Sequence, residues 1–203
     1  MGRAHFDSAD FLGAARALAA EHGPAAVTVG AVVARLKAPT GSFYHRFKSR
    51  DLLLGELWLD TVLAYQVGFL AAIAAGDGLA AALHTPHWVR SHLDDARLLL
   101  LYSRHDFIQG DWPRSLRQGV RDQAQRFEAA VETFARHAFG SAGPEPLRRA
   151  YFALADVPTA SVRPHLQRRE PPPPLVDELI RATYRAVVER PGEPLSAAPP
   201  ASS

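Results

Sequence analysis

Ala38-Pro39-Thr40-Gly41-Ser42-Phe43-Tyr44-His45-Arg46-Phe47-Lys48-Ser49-Arg50 packs small residues, an aromatic pair and several basic or imidazole groups into little more than three helical turns. Phe43 and Phe47 stand four apart and share one helix face, while Thr40, Tyr44 and His45 project from another. The first face suits a core and the second a polyanion. Pro39 fits the first helical position, because its fixed φ is already helical and its missing N–H is one a helix start leaves unpaired.

Immediately upstream, Thr28 can cap a short amphipathic helix with apolar residues at 29, 32, 33 and 36, leaving Lys37 and Ala38 as connector. Two short helices so joined form a helix-turn-helix, whose second helix enters the DNA major groove. On spacing alone, a DNA reader and a plain structural hairpin stand about equal.

Residues 28–54 resemble the DNA-binding half of the TetR (tetracycline-repressor-like) family of bacterial regulators. The resemblance rests on Gly41-Ser42-Phe43-Tyr44-His45-Arg46-Phe47-Lys48-Ser49-Arg50 and reaches back through Glu21-His22-Gly23, Leu18 and Ala14-Ala15 to Phe11. It covers about a quarter of the chain. Gly30, Lys37 and Pro39 depart from the family pattern, which more often has a polar contact residue, a glycine and a serine cap there. The resemblance implies an all-α fold: a three-helix N-terminal reader joined by a long helix to a helical effector-binding and dimerisation domain. It also implies a ligand-responsive transcriptional regulator, by family default a repressor. The DNA-contacting residues expected are Thr28, Thr40, Gly41, Ser42, Tyr44, His45, Lys48 and Arg50.

Charge segregation agrees. Residues 1–50 hold seven Lys/Arg against three Asp/Glu and residues 51–203 sixteen against eighteen, so a net +2 divides into +4 and −2. Phosphate neutralisation supplies most sequence-independent DNA affinity, so this favours double-stranded DNA over a membrane as partner. The chain has no Cys, which excludes disulfide scaffolds and thiol chemistry and fits a reducing cytoplasm. No signal-like segment opens it, and Asp or Arg interrupts each apolar run before it spans a membrane.

Further helices are expected from Asp7 or Ser8 to about Glu21, and from the Ser49 cap to about Ala74. The second is long enough to act as a lever between reader and body. Gly76-Asp77-Gly78 breaks it. Helical turns then run to Thr85-Pro86, where a new helix is expected, and Asp94-Asp95 opens another from Ala96 to about His105. A turn at 109–113 leads into a long amphipathic helix, Arg114 to Phe139. After Gly143-Pro144 comes a helix from about Glu145 that Pro158 and Pro164 must kink or divide. Beyond the stiff run Pro171 to Pro174, a last helix, Leu175 to about Glu189, is apolar on more faces than one neighbour can cover. The expected organisation is therefore a reader at 1–50, a ligand-binding and dimer domain at 51–190, and a disordered tail at 191–203.

No nucleophile elbow, phosphate loop or dinucleotide fingerprint is present, so no cofactor and no enzymatic activity are expected. His84 and His87 could share a helix face, but a metal needs more ligands at defined geometry and Thr85-Pro86 should break the helix between them. Trp58, Tyr65, Phe69, Trp88, Tyr102 and Phe127, with His92 and His105 as polar handles, are the expected lining of a pocket for a small, largely apolar effector. Each such residue is more often simply core than lining. A homodimer is expected because one short helix in one groove makes too few base contacts. The alternative is an all-α small-molecule-binding protein or enzyme whose N-terminal pattern only packs.

Overall fold

The computed structural model describes residues 6–107 and 112–189, and among them there are helices and no strand. The expected tail at 191–203 and residues 109–111 of the expected turn lie outside the described residues.

α1 (Ser8–His22) begins at Asp7, whose carboxylate accepts from the Asp10 amide at 2.9 Å while Asp10 accepts from the Asp7 amide at 2.8 Å. This reciprocal cap satisfies two donors that a helix start orphans. Gly23, at φ +85, ends the helix, and one short turn, Pro24–Ala26, leads to Thr28. Thr28 Oγ1 accepts from the Ala31 amide at 3.1 Å to cap α2 (Val29–Leu36). Lys37 closes α2 in the left-handed region at φ 53, with the Ala38 amide bonded to the Val33 carbonyl at 2.9 Å.

α3 (Thr40–Tyr44) is shorter than the sequence suggests, and Pro39 precedes it in extended conformation instead of occupying its first turn. The chain still turns helically to Phe47, whose amide bonds to the Phe43 carbonyl at 2.9 Å. It must then extend, because Ser49 adopts φ −155 to accept from the Leu52 amide and cap α4 (Arg50–Ala74).

α4 is the central post, packing against α1, α5 (Gly78–Ser91), α6 (Leu93–Leu101), α7 (Arg104–Phe107) and α8 (Arg114–Phe139). Among the described helices it alone has the length and hydropathy of a membrane span, since no charged residue falls between Asp60 and Asp77. Leu53, Leu54, Leu57, Trp58 and Phe69 spend that apolarity on neighbouring helices. Gly55 lets α8 approach: a Cβ there would lie 2.7 Å from the Trp112 ring.

Three expected breaks are corrected. Thr85-Pro86 starts no helix, because α5 runs unbroken through Pro86. A proline inside a helix costs about 3 kcal/mol, and burial of Ala81, Ala82, Leu83, Trp88 and Val89 offsets it. His84 and His87 therefore do share one helix; no group of residues suited to a metal occurs among those described. α6 begins at Leu93 and stops at Leu101, with Asp94 and Asp95 inside its first turn and no side-chain cap. His105 falls in the separate turn of α7.

Finally, Pro158 and Pro164 do not divide the chain: α9 (Pro144–Tyr151) continues through a π-helical segment, Phe152–Asp156, into α10 (Val157–Arg168). The wider π turn just ahead of Pro158 shifts the hydrogen-bond register where the missing N–H would leave a gap. After Pro171 to Pro173, α11 (Pro174–Tyr184) ends in a second π turn, Arg185–Glu189. Arg90 of α5 holds this corner, donating to the Pro172 carbonyl at 2.8 Å and twice to the Asp177 carboxylate at 2.9 Å.

Candidate DNA-reading face and ligand cavity

Phe43 and Phe47 are fully buried, and the edge of Phe11 meets both rings at 5.7 and 6.2 Å between centroids. That anchor fixes which face of α3 is left outside. Tyr44 is 57% exposed with its ring on edge to Phe43, and Thr40, Gly41, His45 and Lys48 are exposed as well; Ser42 is half-buried. A Cβ at Gly41 would meet nothing within 4 Å, so its lack of a side chain serves no internal packing. Glu21 and Arg35 pair through two hydrogen bonds of 2.7 and 2.9 Å, joining α1 to α2, and the Arg35 guanidinium holds the Glu21 carboxyl below its usual range.

Two members of the expected DNA-contacting set have internal work. Thr28 caps α2. Arg50 donates from Nε to the Val27 carbonyl at 2.5 Å and from Nη2 to the Pro24 carbonyl at 2.9 Å, and pairs with Asp51 at 3.2 Å. Its fork thus ties α4 to the turn ahead of α2.

A cavity of about 410 Å³ opens between α4, α6, α8 and the α9–α10 rod. Trp58, Val62, Tyr65 and Gln66 line it from α4, Leu99 and Leu100 from α6, Gln123, Phe127 and Glu128 from α8, and Tyr151, Ala155 and Thr159 from the rod. Of the expected lining, Trp58, Tyr65 and Phe127 are there. Phe69 and Trp88 are core instead, Phe69 stacked on Phe127 at 4.9 Å and Trp88 on His92 at 5.2 Å. Tyr102 packs towards Gly23 and Phe107, and His92 and His105 are exposed.

The polar members came from elsewhere. Gln66 and Gln123 are both buried, Gln66 Nε2 donating to Gln123 Oε1 at 2.8 Å, and Gln66 Oε1 has no hydrogen-bond partner. The signal for them was a polar residue within an apolar helical stripe: 58, 62, 66, 69, 73 on α4 and 116, 120, 123, 127 on α8. Tyr65 is held by its hydroxyl to Thr85 Oγ1 at 2.8 Å, and His84 Nε2 meets the Tyr65 carbonyl at 2.7 Å. Gly68 makes room for that ring, since a Cβ there would lie 2.4 Å from it.

Residues 11–57 match the model of the bacterial regulatory proteins of the tetR family. No curated protein matches the chain. Among solved structures, one similar to it is a Shewanella sp. PV-4 protein assigned to the tetR family of transcription regulators, 16% identical over 90% of this chain and 96% of that one, with a TM-score of 0.64. The transcriptional regulator FadR from Bacillus subtilis, in complex with stearoyl-CoA, is 14% identical over 90% and 98%, with a TM-score of 0.61. SmeT, the repressor of the Stenotrophomonas maltophilia multidrug efflux pump SmeDEF, is 18% identical over 87% and 89%, with a TM-score of 0.57. Along most of its length the chain has the fold of these regulators, and its residues 11–57 match the DNA-binding model of the tetR family of bacterial regulatory proteins.

Proposed function

We propose that the protein is a cytoplasmic homodimeric repressor that grips a two-fold DNA operator with α3 and releases it when a small, largely apolar molecule fills the cavity. Residues 1–50 are the reader and residues 51–190 the effector and dimer domain; the role is non-catalytic. One observation carries the reading. The cavity wall is built from α4 and α6, and both helices also pack directly on α1 of the reader. A ligand that favours a different setting of α4 or α6 therefore shifts the reader, by no more than its difference in affinity for the two settings. Among similar folds, one is captured with an acyl-CoA and another is a repressor, which supports both halves.

On α3, Thr40, Ser42, Tyr44 and His45 meet base edges or adjoining phosphates, Gly41 lets the backbone approach, and Lys48 contacts the phosphate backbone. The dimer forms through α9 and α11. Leu175 and Leu179, 57% and 55% exposed, begin a stripe continued by exposed Ala182 and Ala186, and Phe152 of the neighbouring π segment is 39% exposed. A two-fold contact between copies would bury this face.

Electrophoretic shift on DNA flanking the coding region tests the reading. Wild type should shift a discrete fragment, Tyr44→Ala/His45→Ala should fold but not shift it, and Leu179→Arg should sediment as one chain and lose the shift. Unchanged affinity in the Tyr44/His45 variant would remove α3 as reader.

A further inference from the structure

We infer that the effector is a lipophilic amine, its protonated nitrogen drawn to a cavity that offers an unmet buried acceptor, a carboxylate and no cation. This rests on the cavity being the effector site.

The acceptor is Gln66 Oε1. Gln66 is 5% exposed, and its amide nitrogen faces two oxygens of Gln123, the side-chain one at 2.8 Å and the backbone carbonyl at 3.4 Å. Turning the amide over would set oxygen against that backbone carbonyl, so the nitrogen keeps this place and the buried oxygen is left without a donor, on a side chain that lines the cavity. A buried acceptor with no partner is costly, and a ligand N–H or O–H removes that cost. A ligand with only acceptors would add to it.

Charge selects among donors. Glu128 is the single charged residue of the lining, and no Lys, Arg or His is among the lining residues. Burial, then Glu128 and Glu132, push the Tyr151 hydroxyl above its usual range, as expected of a region that disfavours added negative charge. Trp58, Tyr65 and Phe127 add aromatic rings to the lining, a residue type that attracts cations. An organic anion would meet a carboxylate with no counter-charge.

Four probes sharing one ring system separate these contributions: 1-naphthylmethylamine, 1-naphthylmethanol, 1-methylnaphthalene and 1-naphthoic acid. Binding is read by thermal shift and tryptophan fluorescence on the full chain. The amine should bind at least about tenfold tighter than the hydrocarbon, the alcohol between them and the acid weakest. Gln66→Leu should bring the alcohol to the level of the hydrocarbon and leave the amine only the advantage that Glu128 gives it. Glu128→Gln, on an exposed position that leaves the core untouched, should erase only the advantage of amine over alcohol. Acid or hydrocarbon binding as tightly as the amine would overturn the inference, as would an unchanged ranking in Glu128→Gln or no binding by any probe. Operator shifts with the same preparations judge the regulator reading separately: a ligand-free cavity with intact DNA binding sinks only the amine, and amine binding without DNA binding sinks only the repressor.

Discussion

Arg97 of α6 donates from Nε to the carbonyl of Ala20, in the last turn of α1, at 3.4 Å, and its other arm donates to the carbonyl of Leu166 in the last turn of α10. A buried cation therefore sits between two helix C-termini, where both the orphan carbonyls and the helix dipoles favour positive charge. Arg169 reaches the same end of α1, donating to the Ala20 carbonyl at 3.1 Å, and Arg16 pairs with Asp95 at 2.8 Å a turn or so earlier. Leu99 and Leu100, which line the cavity, follow Arg97 within one turn. Arg97→Ala should cost about 2–3 kcal/mol of stability in urea denaturation, since it removes a buried, charge-assisted tie between two helix ends whose carbonyls then keep only their bonds to Arg169. Asp95→Asn, at a partly exposed pair, should cost under about 1 kcal/mol. Equal losses in the two variants would deny Arg97 its special place.

Lys48 and Arg50 are both basic and two residues apart, yet they should fail differently. Lys48→Ala should leave stability unchanged, weaken binding to all DNA sequences alike and flatten the salt dependence by about one unit, the share of a single phosphate. Arg50→Ala should instead lower stability by about 1.5–3 kcal/mol, because it unties α4 from the Val27 and Pro24 carbonyls. Salt titrations beside urea curves for the two variants check this; a stable Arg50 variant with a flattened slope would return Arg50 to the phosphates.

Lys37 should be improvable. At φ 53 a lysine carries left-handed strain that glycine does not, so Lys37→Gly should raise stability by about 0.5–1 kcal/mol. The opposite holds at Gly55, where a Cβ would strike Trp112 and Leu116 at 2.7 and 2.8 Å. Gly55→Ala should cost about 1–3 kcal/mol. Midpoints of chemical denaturation decide both signs.

Local signals in the sequence located most helices. Thr28, Ser49 and Asp7 each cap where expected, because a cap depends on residues three apart. Proline misled for the same reason: it is a strong local stop, but Pro86 is buried between packed helices and Pro158 is accommodated by a π turn. The aromatic face of α3 was legible from its spacing, since Phe11, Phe43 and Phe47 fall where helix periodicity puts a core. The cavity was legible only in part. Gln66 meets Gln123 across 57 residues of chain, and Arg97 meets Ala20 across 77, contacts that no local pattern encodes.

His84 joins the cavity to pH. Its Nε2 donates to the Tyr65 carbonyl at 2.7 Å, which neutral imidazole can do, and burial against α4 pushes its pKa down, with His87 and His92 adding a smaller effect in the same direction. In the unfolded chain the ring titrates near its ordinary 6.5. A depressed folded pKa means that the native state binds fewer protons than the unfolded state once pH falls to that range. The stabilisation is thus complete above about 6.5 and is lost as pH drops through the folded pKa. One proton sets a ceiling of about 1.4 kcal/mol per pH unit, and partial burial keeps the real slope below it. His84→Gln, which retains an N–H for the Tyr65 carbonyl and cannot titrate, should make the stability curve flatter than wild type between pH 7.5 and 5. Because Tyr65 lines the cavity, ligand affinity should fall over the same range in wild type and hold steadier in the variant. Parallel stability curves for the two proteins would show that His84 carries none of the acid sensitivity.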